Sequence, residues 1–220
     1  MAEEKVPPTS KEINKALRSY IQANKKSISV ERTYKNNHYI GVGLNAPVKV
    51  TIEKGPAGDY FGALNAGASL ILNGTAGRFV GSTMASGEIR INGDVDDGVG
   101  VYLAGGTIII KGDVSGSVGG RMRGGIVIVD GNVKGDVGEG MSGGEIYITG
   151  DVGGTIGTGL KAGRLFIAGK MPEIHDNVKV KPVGPKELDV IKDYQKRFKF
   201  RRFQSAEELD AFRMIERTQG

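Results

Sequence analysis

Six consecutive 19-residue units, without an insertion between them, fill the middle of this chain and leave few architectures open to it. The units begin at Gly55, Gly74, Gly93, Gly112, Gly131 and Gly150, and each carries a second glycine at its eighth position: Gly62, Gly81, Gly100, Gly119, Gly138 and Gly157. A fixed period of about 20 residues means stacked units that cannot bury their apolar faces alone. Residues 55–168 are therefore one solenoid. Of its 114 residues 31 are glycine, which rules out stacked helices, because a helix-interior glycine costs about 0.8 to 1.0 kcal/mol relative to alanine.

Equivalent residues of successive turns lie over one another, so the units can be read as columns. The third position is Ala57, Ala76, Val95, Val114, Val133 and Val152, and the seventh is Phe61, Val80, Val99, Val118, Val137 and Ile156. Positions sixteen and eighteen alternate as a strand does, with Ile89 and Ile91, Ile108 and Ile110, Val127 and Val129, Ile146 and Ile148. The positions between them vary (Glu88 and Arg90, Glu145 and Tyr147), as a solvent or partner face should. The eleventh position, Met84, Leu103, Met122, Met141 and Leu160, reads as core filling. Glycine at the eighth, thirteenth and fourteenth positions marks corners with φ > 0, and the six eighth-position glycines are assigned as structural corners.

The fold expected is all-β: a right-handed, single-stranded parallel β-helix of about seven turns with short helical flanks. Residues 1–35 are expected to form an N-terminal helical cap, with Thr9 and Glu12 spaced as a capping box before Ile13, Leu17 and Ile21. Residues 36–183 form the β-helix. Its first coil is degenerate, with Val42 and Gly43 matching positions seven and eight but Val50 and Ile52 one residue out of register, which suggests a bulge. Residues 184–220 form a helical tail, in which Pro185 opens one helix and Ser205 with Glu208 caps another.

Composition closes off much chemistry. There is no cysteine, hence no disulfide, thiolate metal site, Fe–S cluster or thiol nucleophile. The net charge of +5 divides as +5 before the repeats, −3 within them and +3 after. No apolar stretch reaches membrane-spanning length and residues 1–10 do not read as a signal peptide, so a soluble cytoplasmic protein is expected.

Gly140-Met141-Ser142-Gly143-Gly144 matches the G-x-S-x-G nucleophile elbow, but the repeat supplies no helix after Ser142, and the only histidines are His38 and His175. An esterase using Ser142 is the least favoured function. Gly138 to Gly143 satisfies G-x-G-x-x-G without the helix that a dinucleotide site needs. Asp94, Asp96, Asp97 and Asp113 lack calcium-loop spacing and read as turns. The segment Lys196 to Phe203 interleaves cations with aromatics. Against a nucleic-acid strip, the bland reading is an amphipathic tail docking its phenylalanines on a partner or on the rod; Phe198, Phe200, Arg201, Arg202, Phe203 and Phe212 are the partner-binding candidates.

The unit G-[DNT]-[VA]-x-x-x-V-G-x-x-M-x-G-G-x-I-x-I resembles the GXGXG repeat of the glutamate synthase family, which forms the C-terminal domain of that enzyme's large subunit. It is also similar to the β-helical subunit of formylmethanofuran dehydrogenase. Ile40 to Val48, and Phe200 to Ala206 followed by Leu209, resemble the ends of free-standing subunits of split glutamate synthases and N-methylglutamate synthases. The resemblance implies a non-catalytic structural subunit in nitrogen assimilation, joined to a glutaminase-type amidotransferase and an FMN/Fe–S synthase, with those cofactors on the partners and none here. No catalytic or metal-binding residue carries over. Neither nucleic acid nor membrane is an expected partner, and self-association is left open. The alternative is a β-helical scaffold of a formylmethanofuran dehydrogenase-type complex.

Overall fold

A computed structural model describes residues 8–172, 174, 176–201 and 208–218. Helix α1 (Ser10–Gln22) is followed by eight strands: β1 (Ser27–Val30), β2 (Lys49–Ile52), β3 (Ala66–Leu72), β4 (Ser86–Ile91), β5 (Thr107–Ile110), β6 (Ile126–Val129), β7 (Ser142–Ile148) and β8 (Ala162–Ile167). Then come β9 (Val178–Pro182), helix α2 (Pro185–Phe198), a 3-10 turn at Glu208–Ala211, and β10 (Arg213–Arg217). All ten strands make one sheet in the order β1 to β8, then β10, then β9. Strands β1 to β8 are parallel, so about seven turns of a β-solenoid wind through them.

The 19-residue register is held through the repeats: Ile89 pairs with Ile108, Ile108 with Val127, Val127 with Ile146 and Ile146 with Leu165. Parallel bridges repeat down the third and seventh columns, for example Val95 to Val114 and Val118 to Val137. Both columns, the eleventh position from Met84 to Leu160, and positions sixteen and eighteen are buried in one continuous aliphatic core. At strand spacing, eight stacked strands make a rod of about 34 Å.

The eighth-position glycines have φ between +62° and +70°, and the seventh and eighth columns lie so close to the next strand that a Cβ on Gly119 would sit 2.2 Å from Ile146 Cδ1. The paired glycines divide the work differently from the sequence expectation. Only the second of each pair, such as Gly106 at φ +85°, needs the left-handed region. The first is small because the coil beneath approaches it, and a Cβ on Gly105 would meet the Ala85 carbonyl oxygen at 2.4 Å.

The ends differ from expectation. Val50 pairs with Leu70 twenty residues on, one more than the repeat, as the out-of-register reading requires. The corner of that first coil, however, is Ile40-Gly41 and not Val42-Gly43. Ile40 is buried, its carbonyl accepts the Gly62 N–H, and Gly43 is exposed. A 21-residue step at the corner and a 20-residue step at the strand explain why a fixed period misplaced it.

The segment expected as a helical cap also contains β1, which pairs with β2 across a 22-residue step. Helix α1 begins as foreseen, with Thr9 and Glu12 in a reciprocal capping box, and its Ile13 and Leu17 plug the end of the core. The tail is less helical than expected, since β10 lies antiparallel between β8 and β9; Ser205 lies outside the described residues. Among the described residues no helix is long and apolar enough to cross a membrane.

The corner geometry makes a paired prediction. Gly119→Val combines a left-handed φ, costing about 1 to 2 kcal/mol, with overpacking of about 1 to 3 kcal/mol. Gly43→Val meets the first cost alone, because nothing lies within 4 Å of its Cβ position. Denaturant unfolding should show the larger loss at Gly119; equal losses would remove the steric role of the corner.

Candidate interaction surface

The lateral face of the sheet, where side chains at positions fifteen and seventeen point away from the core, is where the sequence expected solvent or a partner. In the later coils it is covered by the chain's own tail. Ile109, Ile128, Tyr147 and Phe166 are buried there beneath Ile191, Phe198, Phe200, Leu209, Phe212 and Met214, forming a second apolar core outside the rod. Tyr147 and Phe166 stack with ring centroids 4.5 Å apart, and Tyr194 meets Tyr147 edge-on at 5.1 Å. Such pairs add about 0.5 to 1.5 kcal/mol beyond area burial.

Polar anchors rim this second core. Asp130, fully buried, accepts from Lys111 Nζ at 3.1 Å, from Thr149 Oγ1 at 3.1 Å and from the Arg201 backbone N–H at 2.7 Å. Lys111 Nζ also donates to the Lys199 carbonyl at 2.6 Å, and the Arg201 guanidinium donates to the Asp130 carbonyl at 2.8 Å. Two rod residues thus grip the chain where it leaves α2. Lys199 stands there with φ +51° as the left-handed cap of that helix. Farther along, Arg197 pairs with Glu88 at 2.7 Å, and Arg164 bridges Glu145 on the rod to Glu187 on α2. Burial, reinforced by the hydrogen bond to Glu145, pushes the Tyr147 phenol well above the ordinary tyrosine range.

These placements correct the aromatic-anchor reading. Phe198, Phe200 and Phe212 are buried against this molecule, not displayed for another, because the face of Ile109, Ile128, Tyr147 and Phe166 would otherwise be exposed. Arg201 is engaged at Asp130. Arg202 and Phe203 lie outside the described residues. The sequence had posed two homes for an amphipathic tail, and the rod is the one occupied.

The remaining motifs separate in space. Ser142 opens strand β7, with its backbone N–H on the Met122 carbonyl, and no helix follows. His38 lies in the first coils, where its Nδ1 accepts the Asp59 backbone N–H at 2.9 Å; His175 is outside the described residues. Five coils separate Ser142 from His38, about 24 Å at strand spacing. Gly138 to Gly143 likewise turns a corner into β7. Among the described residues no cluster of His, Asp and Glu is arranged to hold a metal ion.

What the aspartates do was missed. At the second position Asp94 accepts the Asp113 N–H at 2.8 Å, Asp113 the Asn132 N–H at 2.8 Å, Asn132 the Asp151 N–H at 3.0 Å, and Asp151 the Lys170 N–H at 2.8 Å. A second ladder runs from Asp97 to Ser117 and from Asp136 to Thr155. Each side chain supplies a hydrogen bond between coils where the backbone turns too sharply for a strand. The signal was the Asp/Asn content of the second column, read as turns without the intercoil bond.

A cavity of about 640 Å³ opens beside this ladder, lined by Lys35, His38, Asp59, Thr75, Asp94 and Asp96 among others. Asp59 is already committed: its carboxyl accepts the Arg78 backbone N–H, which holds it below the usual carboxylate range, and pairs with the Arg78 guanidinium at 3.1 Å.

A family model described as the GXGXG motif matches residues 7–203. A comparison with curated proteins finds no sequence match. Among solved structures, the chain is similar to one in the X-ray structure of the formyltransferase/hydrolase complex (FhcABCD) from Methylorubrum extorquens in complex with methylofuran, with a TM-score of 0.68 and 23% identity, covering 83% of this chain and 69% of that one.

Two outcomes follow from the covered face. Breaking a buried pair costs about 3 to 5 kcal/mol, so Asp130→Ala should lose that much in denaturant unfolding and make the chain beyond Lys199 sensitive to limited proteolysis. Removing residues 184–220 deletes β10 and exposes the Ile109–Phe166 face, so the truncated rod should melt lower and scatter light; an unchanged melt would mean that the second core adds nothing to the rod.

Proposed function

The chain belongs to the GXGXG motif family, and from that premise we propose that it is a non-catalytic structural subunit of a multi-subunit complex. The observation that carries this reading is the shared β-solenoid of a chain found within a formyltransferase/hydrolase complex, matched over 83% of the present chain. The interior supports it: every repeating core column is aliphatic, and the polar columns are spent on bonds between coils. A rod of this kind gives partners fixed positions at low conformational cost, because its shape does not depend on them.

Of the two complexes that the repeat suggests, the formylmethanofuran dehydrogenase type is favoured, since the solved relative comes from a complex that holds methylofuran. The subunits expected with it are the formyl-transferring and hydrolysing components. The glutamate synthase reading is second and rests on the repeat and its flanks alone; its partners would be a glutaminase and a flavin and Fe–S synthase subunit.

Affinity capture of the tagged chain from native extract of its own source, followed by mass spectrometry, separates them. Formyltransferase-type and amidohydrolase-type partners at fixed stoichiometry support the favoured reading. A flavoprotein with a glutaminase supports the second. Recovery of the chain alone, or ester or amide turnover by the pure chain that is lost in Ser142→Ala, overturns the scaffold role.

A further inference from the structure

The two ends of the rod are finished differently. At the C-terminal end β8 is paired by β10, and β9, the outer strand there, ends in Pro182 while its Lys179 and Lys181 are engaged with Glu216. At the N-terminal end β1 pairs on one side only, with β2. The Lys26 and Val30 carbonyls accept the Lys49 and Glu53 N–H groups, so even-numbered residues face β2. Ser27 and Ser29, of opposite parity, aim their backbone N–H and C=O groups away from the sheet, and no hydrogen bond from the described residues reaches those groups. Such an edge is a template for another strand.

Beside this edge lies an apolar groove of about 330 Å³ between α1 and β1, with Ala16, Leu17, Tyr20, Ile28 and Val30 in its walls. Tyr20 is 48% exposed. Around it stand the exposed cations Lys11, Lys15, Arg18, Lys25 and Lys26, which have no ion pair among the described residues. Lys11, Lys15 and Arg18 fall at i, i+4 and i+7 and so share one face of α1. The rod itself carries −3.

The geometry points to strand addition: the β1 edge takes an extended, acidic segment of a partner protein, which pairs with the outward groups of Ser27 and Ser29 and sets alternate apolar side chains into the α1–β1 groove. Charge decides the occupant. Two copies of this end would bring two sets of five cations together, which disfavours edge-to-edge pairing of the chain with itself, whereas an acidic strand neutralises them. Main-chain bonds supply affinity and the groove supplies selectivity for alternate apolar residues. That the segment belongs to a partner subunit rests on the scaffold reading, while strand addition itself does not.

The test uses the full chain and a short acetylated peptide of alternating glutamate and valine, with a lysine–valine twin as control, read by fluorescence anisotropy and amide hydrogen exchange. The acidic peptide should bind and the basic one should not, binding should weaken with salt, and the Ser27 and Ser29 amides should become protected. Losing one backbone bond is worth about 1 kcal/mol, so Ser29→Pro should weaken binding about fivefold or more while Ser29→Ala leaves it unchanged, with melting measured for both. Lys15→Glu with Arg18→Glu should weaken it further without changing the melt.

Three results overturn the proposal. One is no preference for the acidic peptide, in which case the cations only guard the edge. Another is dimerisation through β1 in sedimentation. The third is protection of the Ser27 and Ser29 amides in the free chain that disappears on deletion of residues 2–7, which would make the chain's own N-terminus the occupant. Capture of the expected subunits despite failed peptide binding would leave the scaffold reading standing and sink this site alone.

Discussion

Parallel stacking at a 19-residue register is the constraint on which the rest of this structure depends, because it places each residue against its own counterpart one coil away. A column must therefore tolerate itself. Aliphatic columns do so by burial, and the continuous core from Ile28 to Val178 follows. Acidic columns would not, since like charges opposed across strands destabilise. Here the carboxylates of Asp94, Asp113 and Asp151, with Asn132 interposed, each accept a backbone N–H from the next coil, which turns a repulsive stack into a ladder of hydrogen bonds. Glycine fills the columns where the coil beneath leaves no room for a Cβ.

A self-templating stack has no intrinsic end, and its lateral face is as repetitive as its interior. The chain resolves both with segments outside the repeat. Helix α1 plugs one end with Ile13 and Leu17, β10 pairs with β8 at the other, and α2 lies over the face of Ile109, Ile128, Tyr147 and Phe166. The attachment is specific because Asp130 and Lys111 sit at the nineteenth position of neighbouring coils, where a uniform column would offer no distinction. Departures from the repeat thus determine where the tail goes. Asp130 has no water to solvate it, so its bonds to Lys111, Thr149 and the Arg201 N–H make tail and rod one folding unit.

A molecule built this way is suited to holding others in place. Its interior has no space or polar groups for chemistry, its reactive side chains are few, and its unused hydrogen-bonding capacity is concentrated at one end. The same economy accounts for the false motifs. A glycine-rich period generates G-x-S-x-G and G-x-G-x-x-G around Ser142 as by-products, and the coil geometry withholds the helix that either motif needs.

Column reading of the sequence by itself determined the solenoid, its apolar columns, the eighth-position corners and the capping box at Thr9 and Glu12, since each depends on contacts at a fixed short separation. It determined that the tail was amphipathic, but not what it covered. Phe198 and Phe200 meet the rod about 90 residues back in the chain, near Glu88 and Lys111, and no period relates those positions. Strand β1 escaped because its 22-residue step breaks the repeat, and Ile40-Gly41 escaped for the same reason. The intercoil bonds of the aspartates were visible as composition, yet their direction needed the height of the next coil. Only the tertiary structure decided that the aromatic tail was an internal surface and that the opposite end of the rod remained open, because both depend on where a segment returns in space.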